Sequence, residues 1–77
     1  MTTEELRAAL TELTGGRDAV FAFADADEHV AQLHVQSAML VPEENDHMVK
    51  VTDGQSIAII DAARVCWVRI GPPQLNS

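Results

Sequence analysis

The chain contains few of the residues that cross-link a small fold or carry catalysis. Its 77 residues include one cysteine, Cys66, and no tyrosine. A single thiol excludes an intrachain disulfide, and no paired Cys/His spacing indicates a structural zinc site. The sequence also has no glycine-rich phosphate loop and no Ser/His/Asp arrangement. We therefore predict that the protein is not an enzyme and has no cofactor or metal ion.

Basic residues are also scarce. Five Lys and Arg against twelve Asp and Glu give a net charge of −7 at pH 7. This charge repels phosphate backbones and disfavours RNA as a partner. No apolar run approaches the length that spans a membrane, and Glu4 and Glu5 follow Met1 too closely for a signal peptide. We expect a cytoplasmic protein that does not associate with membranes.

Apolar residues, in contrast, are abundant. They make up 47% of the chain, which is high for a lone domain of this size. A domain this small buries only about 60% of the surface of its unfolded chain, so its own core stabilises it little. Oligomerisation converts apolar surface into interface and is the expected source of extra stability. We predict a single domain, residues 1–77, that forms a homo-oligomer.

The first segment is predicted to be an amphipathic helix over residues 2–14. Thr2 and Glu5 have the spacing of a capping box. Apolar side chains recur at helical spacing and give one stripe, formed by Leu6, Ala9, Leu10 and Leu13. The pair Gly15-Gly16 is predicted to end the helix, because glycine accepts the left-handed conformation common at that position.

From residue 18 onward the pattern indicates about five short strands. Five runs of five to eight residues have strand character, 19–24, 29–36, 48–52, 55–61 and 65–70, and a shorter run covers 39–41. Asp53-Gly54 is the strongest hairpin signal, and Val30 breaks the alternation in a way that suggests a bend or bulge. The predicted fold is mainly β: a small, five-stranded, strongly bent barrel over residues 18–70, followed by a tail over residues 71–77.

The last strand carries the only tryptophan. Alternation along residues 65–70 places Cys66 toward the core, together with Val68 and Ile70. Trp67 then points outward, on the side of Val65 and Arg69. An outward tryptophan needs a cover, and the N-terminal helix and a neighbouring subunit are the two alternatives.

The order of elements, and the residues QSIAIIDAARVCWVRI from Gln55 to Ile70, resemble the Sm-like (LSm and Hfq-like) family of small β-barrels. The resemblance implies a short 3₁₀ turn between the fourth and fifth strands. It also implies a ring in which the fourth strand of one copy pairs with the fifth strand of the next. The predicted oligomer interface is Ile57, Ile59, Val65 and Trp67. A Src-homology-like barrel is the alternative fold.

The turn departs from the family pattern. Where Sm-like proteins carry Arg-Gly or Lys-His, this chain has Asp61-Ala62-Ala63-Arg64, so no RNA-binding residue is transferred. Arg64 and Arg69 lie near Trp67 and would either stack a base or pair with carboxylates, and the acid excess favours pairing. The predicted function is a scaffold or protein-binding unit, and an RNA-binding ring is the alternative.

Two clusters suggest metal binding only weakly. The histidines are spread over a strand and a loop, and the acidic run has neither the central glycine nor the distant glutamate of a calcium loop. Surface histidines and a solvated turn are the preferred interpretations; the residues concerned are His29, His34 and His47, and Asp25, Asp27 and Glu28. The second acidic stretch, residues 43–46, is likewise predicted to be a solvated loop.

Overall fold

The computed structural model describes residues 1–24 and 30–73. The elements along this part of the chain are α1 (Thr3–Ala9), β1 (Thr14–Ala24), β2 (Val30–Leu40), β3 (Val49–Thr52), β4 (Ile57–Ile60), a 3₁₀ turn (Ala62–Arg64) and β5 (Val65–Ile70). The acidic run Asp25, Asp27 and Glu28, together with His29 and tail residues 74–77, lies outside the described residues.

All five strands belong to one antiparallel sheet with the order β4-β3-β2-β1-β5. The prediction of a mainly β fold with five strands and an N-terminal helix is therefore confirmed. The sheet is open rather than closed: within residues 1–24 and 30–73, β4 and β5 form opposite edges and share no ladder. The strand pairing thus shows a five-stranded sheet and does not show a closed barrel.

The helix begins at the predicted capping box. The Glu5 N–H donates to Thr2 Oγ1 at 3.0 Å, and the Thr2 N–H donates to Glu5 Oε1 at 2.9 Å. The bond from the Thr2 backbone N–H stabilises the carboxylate and lowers the pKa of Glu5. In the described part of the chain, no helix is long and apolar enough to cross a membrane.

The predicted end of the helix is wrong. Helix α1 ends at Ala9, and Thr14 already pairs with Met39 in the sheet. The Leu40 N–H donates to the Leu13 carbonyl at 3.0 Å, so the chain is already bonded to β2 before the glycine pair. Gly15 instead lies within β1 with φ +100°.

The two long strands bend at irregular positions. Gly15 and Gly16 are extra residues in β1, where the pairing passes from Thr14–Met39 to Arg17–Ala38. On β2, Ser37 has φ +47°, and its N–H donates to Asp18 Oδ1 at 2.8 Å. Residues 30–36 and 39–40 are therefore parts of one strand, β2. The bulge expected at Val30 lies at Ser37 instead, since Val30 pairs regularly with Ala24.

The core lies between the bent sheet and α1. Phe21 is fully buried there, as are Leu6 of the helix and Leu10, the residue that caps its C-terminal end. The other larger members of the same cluster are Leu13, Val35, Val49, Val51, Ile60 and Val65. Each side chain of this size that leaves water stabilises the fold by about 1.5–3 kcal/mol. The short helix is thus held by its leucines, since it is too short to be stable alone.

The predicted orientation of Cys66 is wrong. Cys66 is exposed, whereas Val65 is 5% exposed and belongs to the core. The register between β5 and β1 shifts between Val65 and Trp67, so Cys66 is an extra residue that reverses the alternation. Val68 and Ile70, on the other side of this bulge, pack partly buried against the core as predicted.

Candidate functional site: the two sheet edges

The outer strands of the described sheet are β4 and β5. An edge strand presents N–H and C=O groups without a ladder partner, and charged residues, proline or a covering element usually protect it. Strand β4 has the sequence IAII, with no charge and no proline. This edge is therefore well suited to pair with another strand.

On β4, the exposed and buried side chains are separated clearly. Ile57 is 60% exposed and Ile59 is 62% exposed, whereas Ile60 is 5% exposed. The sequence singled out Ile57 and Ile59 as interface residues, and both are open to solvent in the single chain. Val65 was singled out as well, but its side chain already lies in the core and is not accessible to a second copy.

On β5, Trp67 is 37% exposed. The guanidinium carbon of Arg69 lies 5.3 Å from the centre of the indole ring, a cation–π contact. Helix α1 packs on β3 and on the 3₁₀ turn, and 37% of Trp67 stays exposed in the single chain. Helix cover alone therefore does not shield Trp67.

The corner between the two edges is built by Asp61. Its carboxylate accepts the Ala63 N–H at 3.1 Å, and its carbonyl accepts the Arg64 N–H at 3.0 Å. The Arg64 Nε lies 3.7 Å from Asp61 Oδ2, with both side chains exposed. Arg64 thus pairs with a carboxylate, as the acid excess favoured, whereas Arg69 stands over Trp67.

A groove of about 340 Å³ lies beside the β4 edge. Its walls are Thr3, residues 47–49 and residues 59–62. Sequence reasoning missed this groove, because the start of the helix, the loop before β3 and the end of β4 are brought together only by the fold. The exposed residue Ile59 belongs to both the groove and the edge.

The loop that forms one wall of the groove is held by Lys50. Its Nζ lies 2.7 Å from Glu44 Oε1 and 2.7 Å from Asp46 Oδ2, and the Lys50 side chain is 15% exposed. The hydrogen bond from Lys50 lowers the pKa of Asp46, and the Met48 N–H acts in the same direction. Asp46 and then Glu44 raise the pKa of Lys50. Residues 43–46 form an exposed loop, as predicted, and Lys50 ties this loop to β3.

Arg7 ties the same loop to the helix. Its guanidinium donates to the Met48 carbonyl at 2.8 Å and to the Val41 carbonyl at 3.3 Å. These carbonyls lie at the two ends of the loop. The groove wall is thus fixed from the helix side as well as from β3.

The histidines and the cysteine do not form a joint site in the described part of the chain. His34 is exposed on β2, and His47 Nδ1 lies 3.1 Å from Glu43 Oε1 in the loop. Among residues 1–24 and 30–73, no group of three or more His, Cys, Asp or Glu side chains is placed to hold a metal ion.

No protein-family model, no curated protein and no solved structure matches this chain.

Proposed function

We propose that the protein is a non-catalytic, Sm-like module that assembles with copies of itself through β4 and β5. In this assembly it serves as a scaffold or protein-binding unit. The observation that carries the proposal is the pair of open edges with exposed apolar side chains: Ile57 and Ile59 on β4, and Trp67 on β5. Exposed apolar residues at an unpaired edge favour pairing with another strand.

The order of the elements supports the same proposal. A helix precedes the sheet, and a 3₁₀ turn, Ala62–Arg64, separates β4 from β5. The two strands joined by this turn lie at opposite edges of the sheet. A chain with this arrangement has a free β4 on one side and a free β5 on the other, as an Sm-like ring requires.

RNA binding is the second candidate, and the observation in its favour is the Trp67–Arg69 pair. An exposed indole beside a guanidinium can stack on a nucleobase. Two facts weigh against this candidate: the net charge is −7, and Arg64 is engaged by Asp61. We therefore rank it below self-assembly.

Sedimentation velocity combined with light scattering, over a dilution series from micromolar concentration downward, tests the assembly. We expect a mass that is a multiple of 8.4 kDa and that falls on dilution. A folded monomer at every concentration would refute the proposal.

Fluorescence anisotropy with short A-rich and U-rich RNAs at two salt concentrations separates the candidates. RNA binding driven by phosphate contacts weakens steeply as salt rises. Absence of binding at low salt eliminates the RNA candidate.

A further inference from the structure

We infer that the groove beside β4 receives Trp67 from a second copy of the chain. Each contact between copies then joins the β4 edge and groove of one copy to the β5 edge of the next. This inference rests on the proposed self-assembly and adds the side chains that make the contact. The two surfaces differ, so the contact is head-to-tail rather than two-fold.

Trp67 and the groove match in size and in chemistry. Trp67 is the only tryptophan in the chain and a large exposed side chain on the β5 edge. The groove of about 340 Å³ is close to the lower end of the range of small-molecule pockets, about 300–1,000 Å³. Its walls include Ile59, 62% exposed, and Met48, 48% exposed. Aromatic anchors that fill pockets commonly dominate the binding energy at protein interfaces.

The charges beside Trp67 and beside the groove are opposite in sign. Arg69 stands over Trp67 and would enter the contact together with the indole. Asp61 lines the groove with its side chain 62% exposed, and Glu43 lies beside the lining residue His47. Two copies with a net charge of −7 repel each other in most orientations. The orientation that brings Arg69 to these carboxylates is electrostatically favoured.

The groove is continuous with the β4 edge. Ile59 is part of β4 and part of the groove, so strand pairing and docking of the indole use one uninterrupted surface. The loop wall is already fixed by Lys50 and Arg7. A groove that is formed before binding loses less entropy when it is filled.

Fluorescence of the single tryptophan tests the inference directly. On dilution through the assembly transition, we expect Trp67 emission to shift to the red and acrylamide quenching to rise several-fold. Assembly measured by light scattering with unchanged emission and unchanged quenching would overturn the docking of Trp67 and leave the proposed self-assembly intact. A monomer at all concentrations would contradict both.

Disulfide trapping with the native Cys66 tests the partner surface. Cys66 is exposed and adjacent to Trp67 in the sequence. In Met48→Cys we expect oxidation to give a ladder of cross-linked species, with residues 48 and 66 joined in the peptide map. Met39→Cys is the matched control, because Met39 is 46% exposed but does not line the groove. Equal ladders from both variants, or dimers joined through Cys66 alone in the unmodified chain, would overturn the head-to-tail contact.

Discussion

Alanine substitutions at two neighbouring isoleucines of β4, Ile59 and Ile60, should have different effects: the first should weaken association and the second should lower the free energy of unfolding. Covering a whole isoleucine side chain stabilises by about 1.5–3 kcal/mol. Ile59 is 62% exposed in the single chain, so covering the remainder at a contact stabilises by about 1–2 kcal/mol. Ile59→Ala should therefore weaken each contact between copies by about 5–30-fold. On an edge strand, the loss of β-propensity lowers the free energy of unfolding by no more than about 1 kcal/mol.

The same substitution at Ile60 acts on the folded chain itself. Ile60 is 5% exposed and packs in the core cluster with Val49 and Val65. Ile60→Ala leaves a cavity there and should lower the free energy of unfolding by about 2–5 kcal/mol. The two variants remove the same atoms from adjacent positions of one strand, so Ile60→Ala is the control for the free energy of unfolding; Ile60 also lines the groove, so its association curve is not used as a control.

Two measurements distinguish the variants. Sedimentation velocity over a dilution series gives the strength of the contact between copies, and urea unfolding of dilute protein gives the stability of the single chain. An association curve that Ile59→Ala leaves unchanged refutes the prediction. It is refuted equally if Ile59→Ala destabilises the dilute chain as much as Ile60→Ala does.

Three further predictions concern local structure. Thr2→Ala removes the helix cap and should lower the unfolding free energy by about 1 kcal/mol in urea titrations, whereas an effect as large from Thr3→Ala would contradict the capping role. Gly15→Ala should lower it by about 1–3 kcal/mol, because φ at Gly15 is +100°. Gly16→Ala has open space and is the matched control; equal effects would argue against backbone strain. The backbone N–H groups of Ser56 and, with a smaller effect, Gln55 bond to the Asp53 carboxylate and lower the pKa of Asp53 from 3.8. The contribution of Asp53 to stability is therefore present above pH 3.8 and is lost as pH falls through the lowered pKa. In thermal unfolding, the Asp53→Asn variant should consequently lose less stability than the parent protein over that acid range. Parallel pH profiles of the two proteins would contradict this assignment.

Local signals in the sequence predicted local structure well. The spacing of Thr2 and Glu5 predicted the capping box, and Asp53-Gly54 predicted the turn between β3 and β4. In that turn Gly54 has φ +95°, and the Asp53 carboxylate accepts the N–H groups of Gln55 and Ser56 at 2.8 Å each. These contacts join residues at most three positions apart, so neighbouring residue types are sufficient to indicate them.

Features that depend on pairing between distant segments were not predicted. After α1 ends at Ala9, the chain bonds to β2 through Leu13 and Leu40, and no pattern within residues 2–14 contains this contact. The orientation of Cys66 is set by the register of β5 against β1, and a shift of one residue reverses which side chains are exposed. The open sheet follows from the same pairing pattern, because a count of strands does not specify which edges meet.

The candidate site divides in the same way. The sequence singled out Ile57, Ile59 and Trp67 as interface residues from the apolar strands and the resemblance to Sm-like proteins, and all three are open in the single chain. It also singled out Val65, which the bulge at Cys66 turns into the core. The sequence did not predict the groove, because its walls come from three segments that are far apart in the sequence.

The bends in β1 and β2 have a consequence for the size of any assembly. The extra residues Gly15 and Gly16, and Ser37 with its bond to Asp18, lie in the two long strands between the β4 edge and the β5 edge. They therefore set the angle between the two surfaces that successive copies would join. In a head-to-tail series, this angle decides whether the copies return to the first one or continue as a filament. Substitutions that straighten these bulges would change the number of subunits without touching any contact between copies.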